Sequence, residues 1–117
     1  MMAPRSRNPK QPGTPVRGSQ TGRPIMVLFD VLGQRWSLRI LWELRAGPMT
    51  FRALQDACEN LSPSVLNARL KALRALDLVS HGEDGYGLTA HGKSLGRELV
   101  RLDRWADTWA EKTNPAR

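Results

Sequence analysis

The segment TFRALQDACENLSPSVLNARLKALRALDLVSHGEDGYGL, residues 50–88, decides the fold. Its pattern predicts a short helix from about Phe51 to Glu59, a tight connection, a second helix, and a small hairpin with a type I′ turn at Asp84-Gly85. A helix-turn-helix followed by a β-hairpin is a winged helix, a shape whose second helix fits the major groove of B-form DNA. The segment therefore predicts a mainly α fold with a small β-hairpin wing, and a protein that binds double-stranded DNA.

The second helix of this segment has a clear start and two unlike sides. Ser62 is a typical N-cap residue, and Pro63 fits the first helical position, where its missing N–H costs nothing. Four leucines recur at helical spacing on the side that we expect to face the core: Leu66, Leu70, Leu73 and Leu76. The opposite side is small or polar and consists of Ser64, Asn67, Ala68, Lys71 and Ala75, with Arg74 at its border. A merely solvated outer side is the alternative interpretation, but the absence of any carboxylate from 62 to 76 and the following hairpin favour entry into a groove.

The predicted DNA contacts extend from this side to nearby basic and capping groups. Arg52 lies in the first turn of a helix capped by Thr50, where the helix dipole disfavours a cation unless a phosphate lies nearby. An exposed arginine at small cost is the alternative. His81 is the only group near the acidic wing turn that can become positive, and a structural histidine is the alternative there. The predicted DNA-binding residues are Arg52, Ser62, Ser64, Asn67, Ala68, Arg69, Lys71, Arg74 and His81.

Charge is unevenly distributed along the 117 residues, whose formal net charge is +7. The first 23 residues contain five basic groups, no acidic group and many Pro, Gly, Ser and Gln residues, which leaves thirteen basic and eleven acidic groups in the rest. We therefore expect a disordered basic arm at 1–23, a winged-helix domain at 24–112 and a disordered tail at 113–117. Basic arms of some DNA-binding domains enter the minor groove, and a plain solubilising tail is the alternative.

The helices that flank the winged segment carry more apolar residues than so small a body can bury. One helix begins at Pro24 and ends before Gly33, with apolar residues spaced i, i+3, i+4 and i+7. The other runs from about Thr89 to about Glu111 and has a heptad-like apolar seam. We expect a homodimer joined through these terminal helices, with packing on the chain's own domain as the alternative. The predicted interface residues are Ile25, Leu28, Phe29, Leu95, Leu99, Leu102, Trp105, Ala106 and Trp109.

A further helix is predicted from about Ser37, and Gly47-Pro48 ends it by supplying a left-handed cap and then a residue that cannot continue a helix. Its inward residues are expected to be Leu38, Leu41, Trp42 and Leu44. Trp36 and Trp42 fit a position in the core, and the alternative is that they line a pocket for a small-molecule effector.

Several functional classes are excluded by what the sequence lacks. Cys58 is the one cysteine, so no internal disulfide forms, and a packed, inert thiol is expected. No apolar run approaches a membrane span and no secretory signal is evident, so we expect a cytoplasmic protein with no membrane contact; a transit peptide is the alternative. No phosphate loop, paired-histidine motif or cysteine cluster is present, so neither an enzyme nor a cofactor is expected.

Five strings occur in order through the predicted folded part: LGQRW at 32–36, GPMTF at 47–51, LSPSVL at 61–66, RLKAL at 69–73 and YGLTAHG at 86–92. From Arg23 to Trp109 the chain thereby resembles the HxlR-type winged-helix transcription regulators, relatives of the MarR group. The resemblance implies a cytoplasmic dimer joined through its terminal helices. It also implies binding to a pseudo-palindromic operator, frequent repression of a neighbouring gene, and a response to a chemical or oxidative signal.

Two features depart from the pattern of this family. Many members have Cys-Pro where this chain has Arg23-Pro24, so redox sensing through that thiol is not expected, and the role does not transfer to Cys58. The wing is also shorter and more acidic than is usual in the family. A winged helix that binds protein instead of DNA is therefore the alternative function.

Overall fold

The computed structural model describes residues 23–113; the predicted arm before Arg23 and the tail after Thr113 lie outside the described residues. The described chain forms five α-helices and one two-stranded antiparallel hairpin, which confirms the mainly α, winged-helix prediction. The helices are α1 Pro24–Leu32, α2 Ser37–Glu43, α3 Phe51–Ala57, α4 Pro63–Ala75 and α5 Ala90–Thr113. The strands are β1 Val79–Gly82 and β2 Gly85–Leu88, and a single 3-10 turn, Leu44–Ala46, follows α2.

One apolar core lies among α2, α3, α4 and the hairpin. Its most buried side chains, at no more than 1 % exposure, include Ile40, Leu41, Leu54, Cys58, Leu66, Leu70 and Leu73. The leucines of α4 and the packed thiol of Cys58 therefore lie as predicted. Leu38 was expected inside but is 42 % exposed, because Ile40 and Leu41 occupy the inward side of α2.

Local sequence explains the starts of the helices that frame the site. The Thr50 hydroxyl oxygen accepts from the Ala53 amide at 3.0 Å and caps α3, as predicted. The Ser62 hydroxyl oxygen accepts from the Val65 amide at 3.3 Å and caps α4 in the same way. Both caps satisfy amides that have no partner within their own helix.

The ends of α2 and α3 differ from the prediction. The α-helical part of this segment ends at Glu43, and the 3-10 turn carries the helical chain on to Ala46, just before Gly47. Gly47 has φ 138° and ψ 177°, a positive-φ conformation that favours glycine but is not the left-handed helical cap that the sequence predicts. The helix α3 ends at Ala57 because Glu59 and Asn60 adopt left-handed φ values of 60° and 58°, which turn the chain toward α4.

The hairpin turns one residue earlier than predicted. Gly82 pairs with Gly85, so the loop is Glu83-Asp84, and neither loop residue has a positive φ. The predicted type I′ turn at Asp84-Gly85 is therefore wrong. Gly85 has φ 107° and a Cβ there would collide with the Met49 carbonyl, because β2 runs against the segment that enters α3.

The segment that enters α3 anchors the wing to the helix-turn-helix at Met49. The Met49 amide donates to the Tyr86 carbonyl at 2.9 Å, and the Tyr86 amide donates to the Met49 carbonyl at 2.8 Å. The hairpin is consequently fixed beside the start of α3 by backbone bonds on one edge.

The terminal helices leave much of their apolar surface uncovered. In α1, Val27 and Val31 face inward, while Ile25 and Phe29 are 43 % and 56 % exposed. The helix α5 is capped by Thr89, whose hydroxyl oxygen accepts from the Gly92 amide at 3.0 Å, and it continues to Thr113, slightly past the predicted end. Its first half packs on the body and its second half does not. At 24 residues it is about 36 Å long.

Candidate nucleic-acid interface

The outer face of α4 consists of Ser64, Asn67, Ala68, Lys71 and Arg74, all of which are exposed. The face is uncovered because the leucines on the other side of the helix hold α4 against the core. Within residues 23–113, no ion pair or side-chain hydrogen bond holds the side chains of Asn67, Lys71 and Arg74. The face therefore offers amide and ammonium donors together with small residues that permit close approach.

Arg69 does not join this face. It is two residues from Lys71, and at about 100° per residue it lies on nearly the opposite side of α4. Its Nε donates to the Arg35 carbonyl oxygen at 2.6 Å, and the side chain is only partly exposed. The placement among DNA-contacting residues that the sequence suggested is thus not supported by this geometry, because the side chain points toward the turn between α1 and α2.

The His81 ring borders the outer face of α4 from the wing. It stacks flat on the Tyr86 ring, with centroids 4.0 Å apart and planes at 4°. On one side an open groove is lined by Lys71, Arg74 and His81, and on the other a second groove lies between His81 and Asn67. His81 is exposed, and its ring lies between two grooves that both run along α4.

Tyr86 is a residue of this site that the sequence reasoning missed. It is only 9 % exposed, and it lies directly across the hairpin from His81. A tyrosine between two glycines, Gly85 and Gly87, was the available signal. It supports the histidine ring from below, since it is held by the bonds to Met49.

Charge around the second groove is mixed. Arg52 is exposed in the first turn of α3, next to Phe51, which lines the groove, although Arg52 is not itself among the lining residues. Glu83 does line the groove, and Asp84 follows it in the exposed wing turn. A phosphate is favoured near Arg52 and disfavoured near the wing turn.

The predicted interface residues separate into two groups. Leu28, Leu95 and Leu99 pack partly against the core, and Ala106 is partly buried. The others are exposed: Leu102, Trp105 and Trp109 of α5 at 55 %, 60 % and 54 %, and Ile25 and Phe29 of α1. The two tryptophan rings stack with centroids 5.9 Å apart and planes at 11°.

The thiol of Cys58 is buried, and that burial raises its pKa above the ordinary 9.0, against a smaller lowering effect of Arg39. Among the described residues, no cluster of histidine, cysteine and carboxylate side chains could hold a metal ion. None of the helices between residues 23 and 113 has the length and apolar character needed to cross a membrane.

The similarity of the chain to known proteins identifies its family. The profile of the HxlR-like helix-turn-helix family matches residues 31–114. The chain belongs to the HxlR family. The HxlR chain is 33 % identical over 89 residues to the uncharacterized HTH-type transcriptional regulator YvaP of Bacillus subtilis (strain 168), with 70 % of this chain and 82 % of YvaP aligned. It is 29 % identical over 90 residues to the HTH-type transcriptional regulator YodB of the same organism, with 71 % of this chain and 80 % of YodB aligned.

Two solved structures of YodB from B. subtilis share the HxlR fold of this chain. Quinone-bound YodB superposes with a TM-score of 0.66 at 29 % identity, over 72 % of this chain and 94 % of that one. The reduced form superposes with a TM-score of 0.66 at 28 % identity, over 75 % and 93 %. The HxlR chain is accordingly a DNA-binding transcriptional regulator of a non-enzymatic family, as its sequence motifs imply.

Proposed function

We propose that this HxlR-family chain is a dimeric, cytoplasmic repressor that reads a pseudo-palindromic operator with α4 in the major groove. The observation that carries this proposal is the uncovered outer face of α4. Asn67, Lys71 and Arg74 are exposed there and have no partner among residues 23–113, and the helix contains no acidic residue. Such a face can approach a duplex without first breaking contacts of its own.

The side chains of this face have distinct tasks in the proposed complex. The Asn67 amide can donate to N7 and accept from N6–H of adenine on one base edge, which reads sequence. Lys71 donates to guanine or to a phosphate, and Arg74, near the far end of the helix, reaches a phosphate. Ser64 and Ala68 let the helix backbone lie close to the bases because their side chains are short.

The surrounding predicted contacts hold the duplex backbone. Ser62 retains a hydroxyl hydrogen that can be donated while its oxygen caps α4. Arg52 is exposed and follows Phe51, which lines the second groove. His81 lies between the two grooves, where an adjacent phosphate or minor groove would meet it. The predicted basic arm is proposed to add nonspecific attraction to phosphates.

Dimerisation supplies the operator symmetry in this proposal. Two α4 helices related by a twofold axis would contact half-sites about one DNA turn apart. The exposed apolar groups of α1 and α5 are the proposed contact, because Phe29, Trp105 and Trp109 are each more than half exposed in one chain. Large apolar side chains that are exposed together, as Trp105 and Trp109 are on α5, typically mark a protein interface.

A winged helix that binds protein instead of DNA is the second candidate. The acidic turn Glu83-Asp84 favours it, since a wing that touches phosphates is normally basic. Acidic side chains at the wing tip would instead suit a basic protein surface.

Fluorescence anisotropy with the promoter of the protein's own gene tests the first candidate against the second. The chain is expected to bind this duplex more tightly than a scrambled one. Lys71→Ala should lower affinity for both duplexes and reduce the salt slope by about one. Lys93→Ala, in the first turn of α5, is the matched control and should change neither.

Asn67→Ala should act differently, because the amide reads a base. It is expected to relax discrimination at one base pair by roughly 1–3 kcal/mol and to leave binding to scrambled DNA unchanged. Small, equal effects from Asn67→Ala and Lys71→Ala would contradict the proposed groove contact. Equal affinity of the parent chain for promoter and scrambled DNA would favour the protein-binding candidate.

A small-molecule effector is included in the proposal. YodB has been solved with quinone bound. In this chain the burial of Cys58 and the raised pKa of its thiol oppose covalent capture at that site, so any such ligand is proposed to bind without reacting there. Operator titrations with and without aromatic compounds test this. A compound that releases the parent chain from DNA is expected to release Cys58→Ala as well.

A further inference from the structure

Arg69 connects α4 to a part of the chain that is 34 residues away in sequence. Its Nε donates to the Arg35 carbonyl oxygen at 2.6 Å, in the turn formed by residues 33–36 between α1 and α2. A charged donor on a backbone carbonyl makes a stronger hydrogen bond than a neutral pair does. The bond is therefore a specific tie between α4 and this turn.

The turn is itself held tightly to both of the helices that it joins. The Gln34 amide donates to the Val31 carbonyl of α1 at 3.1 Å, and the Ser37 amide donates to the Gln34 carbonyl at 3.1 Å. Trp36 has φ 79°, a left-handed conformation that is unusual for a bulky residue and persists only where its surroundings fix it. These bonds hold the Arg35 carbonyl in place relative to α1 and α2.

From this geometry we infer that Arg69 is a positioning residue that fixes the direction of α4 relative to α1, and thereby the half-site spacing that the dimer accepts. The inference rests on the proposed function, in which Ile25 and Phe29 of α1 contribute to the dimer contact. The side chain does not touch DNA in this scheme, because it lies on the side of α4 opposite Lys71.

Operators of different spacing test the inference. Affinity is measured for one isolated half-site and for full operators whose half-sites are at the selected spacing, one base pair closer and one base pair further apart. The parent chain should prefer the selected spacing sharply. Arg69→Met should leave half-site affinity within about twofold and reduce the preference for the selected spacing about tenfold, since one charged hydrogen bond is lost in each protomer.

Arg74→Met is the matched control, because it removes an arginine from the same helix but from the outer face. It should weaken half-site and full-operator binding together and leave the spacing preference unchanged. Arg69→Lys keeps a donor of similar reach and should restore the sharp preference.

Thermal melts show whether each variant is folded. If Arg69→Met does not fold, Arg69→Gln replaces it, because its amide is too short to reach the Arg35 carbonyl and the same loss of spacing preference is expected. An unchanged preference in a folded Arg69 variant, or a loss of half-site affinity like that of Arg74→Met, overturns the inference. Failure of the parent chain to bind any half-site would instead overturn the proposed function.

Discussion

Replacing Trp105 with alanine should dissociate the proposed dimer. Trp105 is 60 % exposed in one chain, and its ring stacks on Trp109 at 5.9 Å. A tryptophan presents about 150–250 Å² in all, so a partner that covers the exposed part removes roughly 100–150 Å² from water. At about 25 cal/mol per Å² this contributes about 3 kcal/mol in each protomer.

Because the proposed dimer has a twofold axis, this burial free energy is lost twice, once in each protomer. Even after a large discount for the costs of association, Trp105→Ala should raise the dimer dissociation constant at least about a hundredfold. The fold of the single chain should not change, because Trp105 is not part of the core and its removal leaves no cavity there.

Sedimentation velocity over a series of protein concentrations measures this dissociation constant. Asp107→Ala is the matched control, since it lies two residues further along α5, is exposed, and points to roughly the opposite side. The control should dimerise like the parent chain. If Trp105→Ala and Asp107→Ala give the same constant as the parent chain, the apolar surface of α5 is not the dimer contact.

Three further outcomes are expected. Gly92→Ala should lower the melting temperature by several degrees, because its Cβ would collide with the Leu78 carbonyl, whereas Gly96→Ala, with its nearest atoms 3.8 Å away, should raise it. The raised pKa of the Cys58 thiol means that its contribution to stability is complete below the unfolded pKa and is lost as pH rises through the folded pKa. Urea melts below and above pH 9.0 should therefore show a steeper alkaline loss for the parent chain than for Cys58→Ala. Deleting residues 1–22 should reduce the salt slope of DNA binding without changing the preferred operator, and an unchanged slope would make the arm a plain tail.

The parts of the fold that depend on nearby residues could be predicted from the sequence. The caps by Thr50 and Ser62 were predictable because each needs only a hydroxyl three residues before an unpaired amide. The inward side of α4 was predictable because its leucines repeat at helical spacing. In α2 the same argument misplaced Leu38, since a helix of seven residues is too short for its periodicity to distinguish the buried side from its neighbours.

In the wing, a shift of the turn by one residue changes which side chain lies across the hairpin from His81. A turn centred on Asp84-Gly85 would have paired His81 with Leu88, whereas the observed turn pairs His81 with Tyr86. The deciding interaction is the bridge from Met49 to β2, a long-range contact that turn propensity does not contain. The stack beneath His81 was therefore beyond local reasoning, and so was the bond from Arg69 to a turn 34 residues away.

The distribution of charge makes dimerisation and DNA binding depend on each other in the proposed complex. Residues 24–117 carry thirteen basic and eleven acidic groups, and the wing turn Glu83-Asp84 repels phosphate, so one domain attracts a duplex weakly. Lys71 and Arg74 supply most of the local attraction on α4, and one such helix contacts only a few base pairs. Joining two of them makes the second contact intramolecular, which multiplies affinity only when the spacing of the two helices matches the operator. The spacing set through α1 and Arg69 is then as important to affinity as any base contact.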